Sequence, residues 1–327
     1  MNKNSKRILT GIQSTGTPHL GNILGAIIPA IQMSEEENVE SYLFIADLHS
    51  ITQIKDSKKL TNNTYSTAAA WLAFGLDYKK TIFYRQSDIP QVTELAWYLS
   101  CYYPYSRLTL AHSFKDKQDR LQDINSGLFN YPMLMAADIL LYDANVVPVG
   151  KDQLQHLEIT RSVANRFHNN NGETFIIPEA DLSSENMAIP GTDGQKMSKS
   201  KNNIIDIFLD EQKLKKQIQS IKTDSTPIEK PKEWKTCNLF KIYKLVGSKD
   251  QIKKLQLNYE KGGYGYGHAK QDLLELILTK YSKERKEFDY YMNNQDEIDA
   301  ILKVGAKKAL QTADDVLNRV RKKLGYN

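Results

Sequence analysis

The feature that most constrains the fold is a regular alternation of short apolar segments with longer helical patterns in the first part of the chain. Strand candidates lie at Arg7–Ile12, Ser41–Ala46 and Thr81–Tyr84, and helix candidates lie at Leu20–Met33 and Lys58–Phe74. This rhythm predicts an α/β fold with a parallel, doubly wound sheet. Such sheets bind ligands at the carboxyl ends of their strands.

The remainder of the chain divides into a mixed segment and a helical segment. Helix patterns at Gln91–Tyr102, Asn130–Tyr142 and Asp152–Phe167 accompany strand candidates at Asn145–Val149 and Ile176–Pro178. From about Phe208, helical periodicity dominates to the end. We therefore predict a Rossmann-type domain over residues 1–206 and a C-terminal all-helical domain over residues 207–327.

Charge is distributed unevenly between the two parts. Residues 1–200 hold 18 Lys/Arg and 21 Asp/Glu, a balance of −3, whereas residues 201–327 hold 26 and 18, a balance of +8; together they give the net charge of +5. A basic C-terminal third is compatible with a polyanionic partner such as RNA. On charge alone, however, solvated Lys-rich helix faces are the better explanation.

The two cysteines, Cys101 and Cys237, stand far apart and in no CxxC pair. Their placement argues against a zinc knuckle, an iron–sulfur site or a disulfide framework. No apolar run approaches the roughly 20 residues of a membrane helix, and the first residues lack the apolar core of a signal peptide. The expected location is the cytoplasm.

The first segment that indicates chemistry is GIQSTGTPHLGN, at residues 11–22. It follows a predicted strand and opens a predicted helix, where free backbone N–H groups and a partial positive charge favour a triphosphate. His19 and Asn22 lie three residues apart and so share one face of the first turn. A plain strand–turn–helix junction with Thr17 or Asn22 as a cap is the alternative interpretation.

The second segment is KMSKS, at residues 196–200, which follows GTDGQ in a loop rich in Gly, Ser and Lys. Two lysines three residues apart can neutralise the charge that develops on a leaving pyrophosphate. Basic loops are common, so the lysines alone say little; the complete pentapeptide is far more specific.

Together these segments resemble the two signatures of class I aminoacyl-tRNA synthetases, since HLGN is similar to the HIGH motif and KMSKS has its standard form. The bacterial tryptophanyl sub-family is the nearest resemblance. It extends over residues 11–22, 42–52, 130–161, 190–200, 223–225 and 263–270. The resemblance implies a Rossmann catalytic domain followed by a helical anticodon-binding domain.

The resemblance also implies a reaction and its partners. L-tryptophan is expected to react with ATP to give tryptophanyl-adenylate and pyrophosphate, and tryptophan is then transferred to the 3′ end of tRNA(Trp). Mg²⁺, held mainly by phosphate oxygens and water, is expected to accompany ATP. The enzyme is expected to be a homodimer, and association with a membrane is not expected.

The amino-acid specificity is expected to reside in the predicted helix that begins near residue 130. Tyr131, Met135 and Asp138 share one helix face through their i, i+4, i+7 spacing. A buried carboxylate can accept the indole N–H, which is only a donor, and the resemblance gives Asp138 that role. Tyrosine also offers a donor, so Asp138 alone does not separate the two amino acids. Leu9 stands where some family members place an aromatic ring over the indole.

The family motifs assign the remaining site residues. The catalytic set is Gln13, His19, Asn22, Lys117, Lys196 and Lys199. The ATP-binding set is Gln13, Ser14, Thr15, Gly21, Asn22, Gly150, Lys151, Asp152, Asn186, Lys196, Met197, Ser198, Lys199 and Ser200. Tyr131 and Gln153 match contacts to the ammonium group of the amino acid. For His49, which ends the second strand, substrate contact and polar packing are equally open. For Lys117, a solvated lysine in a charged run is the alternative interpretation.

Three other functions remain open at this stage. A tyrosyl-tRNA synthetase is the nearest. A nucleotidylyltransferase that does not act on tRNA shares the fold and an HxGH-like motif, but the basic helical third and the complete KMSKS argue against it. An inactive RNA-binding relative is disfavoured because HLGN, Asp138 and KMSKS are all intact.

Overall fold

The sheet is built from five parallel strands in the order β3-β2-β1-β4-β5. The computed structural model describes residues 6–110, 125–150, 153–182 and 189–326. In these ranges the strands are β1 (Lys6–Ile12), β2 (Val39–Ile45), β3 (Ile82–Arg85), β4 (Val146–Pro148) and β5 (Glu179–Asp181). Strand order reverses between β1 and β4, which is the switch point where doubly wound sheets bind ligands. This is the predicted Rossmann-type α/β fold.

Four of the five predicted strands are confirmed with small shifts at their ends, and the last is displaced. The strand predicted at Ile176–Pro178 forms instead at Glu179–Asp181. Pro178 has no N–H to donate to a neighbouring strand, and its carbonyl accepts a hydrogen bond from Arg161 Nε at 2.8 Å. The two isoleucines before it are exposed to solvent, so the apolar segment does not enter the sheet.

Helices cover the sheet and make up most of the remaining chain. Those in the described residues are α1 (Leu20–Asn22), α2 (Ile28–Ser34), α3 (Asp47–Ser50), α4 (Ser57–Ala73), α5 (Gln91–Tyr102), α6 (Tyr105–Leu108), α7 (Ser126–Leu140), α8 (Leu154–Asn171), α9 (Glu211–Gln219), α10 (Asn238–Val246), α11 (Lys249–Lys261), α12 (Tyr266–Lys280), α13 (Ser282–Asn293) and α14 (Gln295–Lys323). A π-helical turn at Ile23–Ile27 joins α1 to α2. None of the helices in these ranges has the length and apolar character needed to cross a membrane.

Side chains of each strand alternate between two apolar cores, one on each face of the sheet. Leu43 and Ile45 of β2 enter a core with α4 and the C-terminal helices. Tyr42 and Phe44 of the same strand enter a second core with α5, α7 and α8. The sheet is therefore buried on both faces, as parallel sheets require.

The last helix, α14, returns to the sheet and packs against β3 and α5. Gly305 makes this approach feasible, because a methyl group at that position would overlap the backbone carbonyl of Phe83. Ala309 and Ala313 on the same helix are fully buried in the core with α5 and α7. The C-terminal helix thus shares a core with the first part of the chain, and the predicted division at residue 206 stays a prediction.

Candidate active site

The first motif connects the central strand to the first helix at the carboxyl edge of the sheet. β1 ends at Ile12 and α1 starts at Leu20, with His19 as its N-cap. The Nδ1 atom of His19 accepts a hydrogen bond from the backbone N–H of Asn22 at 3.3 Å, and Asn22 Oδ1 accepts one from the backbone N–H of His19 at 3.2 Å. This reciprocal cap fixes the proton of a neutral His19 ring on Nε2.

The second motif lies directly against the first. Lys199 Nζ donates a hydrogen bond to the carbonyl of Gly16 at 2.6 Å, and Gly21 N–H donates to Met197 Sδ at 3.3 Å. Gly16 has a φ of 137°, a conformation that side-chain-bearing residues rarely adopt. The fold therefore brings together two segments that are about 180 residues apart in the sequence.

Burial controls the electrostatics of this junction. It lowers the pKa of His19 to about 4, with a further contribution from nearby Lys199, so His19 is a neutral donor at physiological pH. Burial also lowers the pKa of Lys199 to about 8, although the charge of nearby Asp206 acts to raise it. Asp206 is itself buried, and burial raises its pKa, whereas the positive charges of Lys199 and Arg285 lower it. An incoming triphosphate would supply the negative charge that this lysine lacks.

The other residues predicted to bind ATP lie around the same edge. Ser14 is buried and its hydroxyl donates to Ser50 Oγ at 3.1 Å, while Gln13 and Thr15 are half-buried beside it. Gly150 lies two residues after the end of β4, and its carbonyl accepts a hydrogen bond from the backbone N–H of Gln153 at 2.9 Å. Gly150 and the first motif thus flank the switch point of the sheet.

The other residues of the KMSKS loop contact one another or the preceding segment. The hydroxyls of Ser198 and Ser200 lie 2.8 Å apart, and Lys196 pairs with Pro190 in an isolated antiparallel bridge. Four predicted residues lie outside the described residues: Lys117, Lys151, Asp152 and Asn186.

A buried carboxylate lies on the side of the site where amino-acid binding is predicted. Asp138 on α7 is 3% exposed. His49 Nε2 lies 2.9 Å from its Oδ2, and Gln86 Nε2 donates to Oδ1 at 2.8 Å and to Oδ2 at 2.9 Å. Burial raises the pKa of Asp138, whereas His49 and Gln86 act to lower it. A buried carboxylate that already accepts several hydrogen bonds can accept few more. It is therefore suited to recognise a single N–H group.

The donors to Asp138 come from the carboxyl ends of two neighbouring strands. His49 lies on α3, which follows β2, and Gln86 directly follows β3. Sequence reasoning placed His49 near the site but overlooked Gln86. The signal was present, since a polar residue that follows a buried strand is expected at the binding edge.

Tyr131 and Met135 occupy the helix face expected for them. The Tyr131 hydroxyl lies 2.5 Å from His156 Nε2, and its ring meets the His49 ring edge-on at a centroid distance of 5.5 Å. Met135 is half-buried against the core that also contains Leu9.

His156 was not predicted to have a role, because its spacing from other residues suggests no metal site. In the described residues, no three His, Cys, Asp or Glu side chains are placed to hold a metal ion.

Comparison with known proteins identifies the family. The family model described as class I tRNA synthetases (W and Y) matches residues 1–282. The chain therefore belongs to the class I aminoacyl-tRNA synthetases, in the family of the tryptophanyl and tyrosyl enzymes. Two relatives are both named tryptophan–tRNA ligase. The relative from Campylobacter jejuni is 45% identical over 98% of this chain and 99% of its own; the one from Rhodopirellula baltica is 42% identical over the same shares.

A solved structure of the C. jejuni tryptophanyl-tRNA synthetase, complexed with ADP and tryptophan, superimposes with a TM-score of 0.92. It is 45% identical in sequence and covers 98% of this chain and 99% of its own. This similarity confirms the predicted α/β fold and the resemblance of the sequence to the tryptophanyl enzymes.

The lowered pKa of Lys199 predicts an alkaline limit to adenylation. As the pH rises through about 8, Lys199 in the free enzyme loses its proton. The kcat/KM for ATP in ATP–pyrophosphate exchange should therefore fall, by about tenfold one pH unit above that value. Lys199→Arg should shift the fall to higher pH because its guanidinium stays charged. Lys201→Arg, in the same loop, is the matched control and should keep the wild-type profile. An unchanged alkaline limb in Lys199→Arg would contradict this role.

Proposed function

We propose that the chain is a tryptophan–tRNA ligase that forms tryptophanyl-adenylate from L-tryptophan and ATP and then transfers tryptophan to tRNA(Trp). The observation that carries the proposal is the buried Asp138, held by His49 and Gln86 next to the junction of the HLGN and KMSKS segments. The relatives named tryptophan–tRNA ligase and the C. jejuni complex with ADP and tryptophan support it.

Recognition of the indole follows from the hydrogen bonds of Asp138. The Gln86 amide and the His49 ring donate to the carboxylate and thereby favour its ionised form. An ionised carboxylate can accept one more hydrogen bond, and the indole N–H supplies a donor of the required kind. Phenylalanine would leave Asp138 without this partner, and sites of this type reject such ligands strongly. Met135 and Leu9 provide apolar contact, while Tyr131 and Gln153 bind the ammonium group.

Adenylation then proceeds by positioning and charge stabilisation, without a covalent enzyme intermediate. A carboxylate oxygen of tryptophan bonds to the α-phosphorus of ATP, and the bond from that phosphorus to the bridging oxygen breaks, so that pyrophosphate leaves with the electron pair. Neutral His19 donates through Nε2–H, while Lys199 and Lys196 stabilise the departing charge. Gln13, Asn22 and Lys117 complete this catalytic set.

The nucleotide lies along the switch point of the sheet. The first motif contributes Ser14, Thr15 and Gly21; the turn after β4 contributes Gly150, Lys151 and Asp152 at the ribose; and Asn186 contacts adenine. Met197, Ser198 and Ser200 complete the KMSKS side. Mg²⁺ bound to ATP through phosphate oxygens and water would offset the negative charge of the phosphates.

Transfer requires the tRNA to reach the same site. The oxygen of its terminal ribose hydroxyl attacks the carbonyl carbon of the adenylate, the bond to the phosphate oxygen breaks, and AMP leaves. We assign anticodon recognition to the helical region 207–327, whose basic residues suit RNA. Tyr264 and Tyr266 are held in packing there: their hydroxyls donate to Asp272 and Asp224, and Tyr266 meets the Tyr259 ring edge-on. The location proposed for the enzyme is the cytoplasm.

A homodimer is the proposed assembly, through an apolar surface next to the amino-acid site. Trp97 on α5 is 68% exposed, and Tyr105, Leu110 and Ile51 are also exposed large apolar residues. A groove of about 610 Å³ between α5 and α7 includes Trp97, Ile51 and Tyr131 in its lining. Trp97 and Ile51 are exposed apolar residues that line the same groove, and such a surface indicates an interface.

Disruption of this surface tests the assembly. Trp97→Lys places a charge on the apolar face and should convert the dimer to a monomer, as measured by light scattering coupled to gel filtration. Leu257→Lys, which changes another exposed apolar residue on α11, is the control and should stay dimeric. A wild-type chain that is monomeric at micromolar concentration, or a Trp97→Lys variant that remains dimeric, would overturn the proposal.

ATP–pyrophosphate exchange with single amino acids tests the activity itself. Wild-type protein should support exchange with tryptophan and very little with tyrosine or phenylalanine. Phenylalanine offers Asp138 no donor, whereas low exchange with tyrosine is expected from the similarity to the tryptophan–tRNA ligases and not from Asp138. Exchange with tyrosine and none with tryptophan would establish the tyrosyl alternative. If no amino acid supports exchange, the chain is not a functional synthetase.

A further inference from the structure

A buried histidine that takes no part in the proposed adenylation contacts the hydroxyl of Tyr131. His156 Nε2 lies 2.5 Å from the hydroxyl oxygen, and the two rings meet at 72° with their centroids 5.0 Å apart. His156 is 3% exposed, whereas Tyr131 is half-buried. The hydroxyl thus has an interior partner, and part of the Tyr131 side chain remains accessible.

The fold brings His156 to this position from the first turn of α8. Gln153 is the N-cap of that helix, and His156 follows it by three residues, so both lie on the same face. Tyr131 belongs to α7, which packs against α8. The His49 ring contacts the Tyr131 ring at a centroid distance of 5.5 Å and an angle of 79°. Two imidazole rings therefore confine the tyrosine ring, and the direction of its O–H bond is what the hydrogen bond to His156 decides.

That direction determines which ligand groups the hydroxyl can bind. A phenol has one proton to donate and can also accept, whereas a primary ammonium group can only donate. The ammonium group of tryptophan therefore needs the Tyr131 oxygen as an acceptor, and the phenolic proton has to point elsewhere. His156 Nε2 accepts this proton in a hydrogen bond when the ring is neutral and carries its own proton on Nδ1.

We propose that His156 is a positioning residue for amino-acid binding, which orients the Tyr131 hydroxyl so that its oxygen accepts from the ammonium group of the ligand. The inference rests on the proposed function, which assigns Tyr131 to that group. In the opposite arrangement His156 would donate to the hydroxyl, and the phenolic proton would face the ammonium group, so that two donors would meet. The pair of Tyr131 and His156 therefore favours ligands that carry an ammonium group.

Three ligands separate this role from a general effect on the pocket. Tryptophan and tryptamine carry the ammonium group, whereas 3-(indol-3-yl)propanoate has the indole and the carboxylate without it. In ATP–pyrophosphate exchange, His156→Ala should raise the KM for tryptophan and the inhibition constant of tryptamine about tenfold, because a hydrogen bond to a charged group is lost. The inhibition constant of 3-(indol-3-yl)propanoate, the KM for ATP and the kcat should stay at the wild-type level.

Conservative variants keep the test decisive if alanine at this buried position disturbs folding. His156→Gln places an amide oxygen near the position of Nε2 and should restore most of the affinity for tryptophan. The side chain of His156→Asn is too short to reach Tyr131, so this variant should behave like His156→Ala.

His168→Gln is the matched control on the same helix. His168 Nε2 also accepts a hydrogen bond, from the backbone N–H of Phe175 at 2.9 Å. It lies twelve residues after His156, about 18 Å further along α8. His168→Gln should leave the constants for all three ligands unchanged.

Three results would overturn the proposal. One is an unchanged KM for tryptophan in both His156→Ala and His156→Asn. Another is an equal weakening of all three ligands, which would mean that His156 maintains the shape of the pocket. The third is a His156→Gln variant as weak as His156→Asn.

Tyr131→Phe provides an independent check, since it removes the hydroxyl through which His156 is proposed to act. In that background His156→Asn should cause no further loss of affinity for tryptophan, and an additive loss would contradict the proposal. Failure of the proposed function is distinguishable, because it would appear as absence of tryptophan-dependent exchange in the wild type, before any variant is compared.

Discussion

The architecture of the amino-acid site depends on the pairing of Asp138 with His49 and Gln86. A carboxylate buried in the interior is costly unless hydrogen-bond donors surround it. Here the donors come from the ends of β2 and β3, and the acceptor comes from a helix packed on the face of the same sheet. The strand order β3-β2-β1 is therefore what positions the two donors beside Asp138. These three contacts leave the carboxylate about one further hydrogen bond to accept, as the proposed recognition of a donor requires.

A second constraint joins the two halves of the nucleotide site. Lys199 reaches Gly16 from a loop far along the chain, and Leu20 N–H donates to the carbonyl of Ile205 at 2.8 Å. These contacts hold the helix terminus that follows the first motif against the lysine loop. Burial lowers the pKa of Lys199, and a phosphate bound beside it would favour its charged form. Low local dielectric also makes each charge more effective on the reacting phosphates.

Sequence reasoning succeeded where a local pattern dictates the structure. Strands that alternate with helices predicted the sheet, and HLGN and KMSKS predicted the segments that meet at its edge. It failed where tertiary contacts decide. Pro178 displaced the last strand, and no local pattern reveals that Asp206 approaches Lys199. The packing of α14 against the sheet depends on Gly305. In this case the sequence did contain a signal, because a glycine inside a helix often marks a close packing contact.

The central claim is that Asp138 reads the indole N–H, and an analogue without that group tests it most directly. β-(3-Benzothienyl)alanine replaces the N–H with sulfur in a ring of nearly the same shape. In ATP–pyrophosphate exchange its kcat/KM should be at least about a hundredfold below that of tryptophan, because Asp138 would be left without its partner. In Asp138→Ala the two substrates should become nearly equal. If wild-type protein activates the analogue as well as tryptophan, the carboxylate does not recognise the indole, and this account of specificity is wrong.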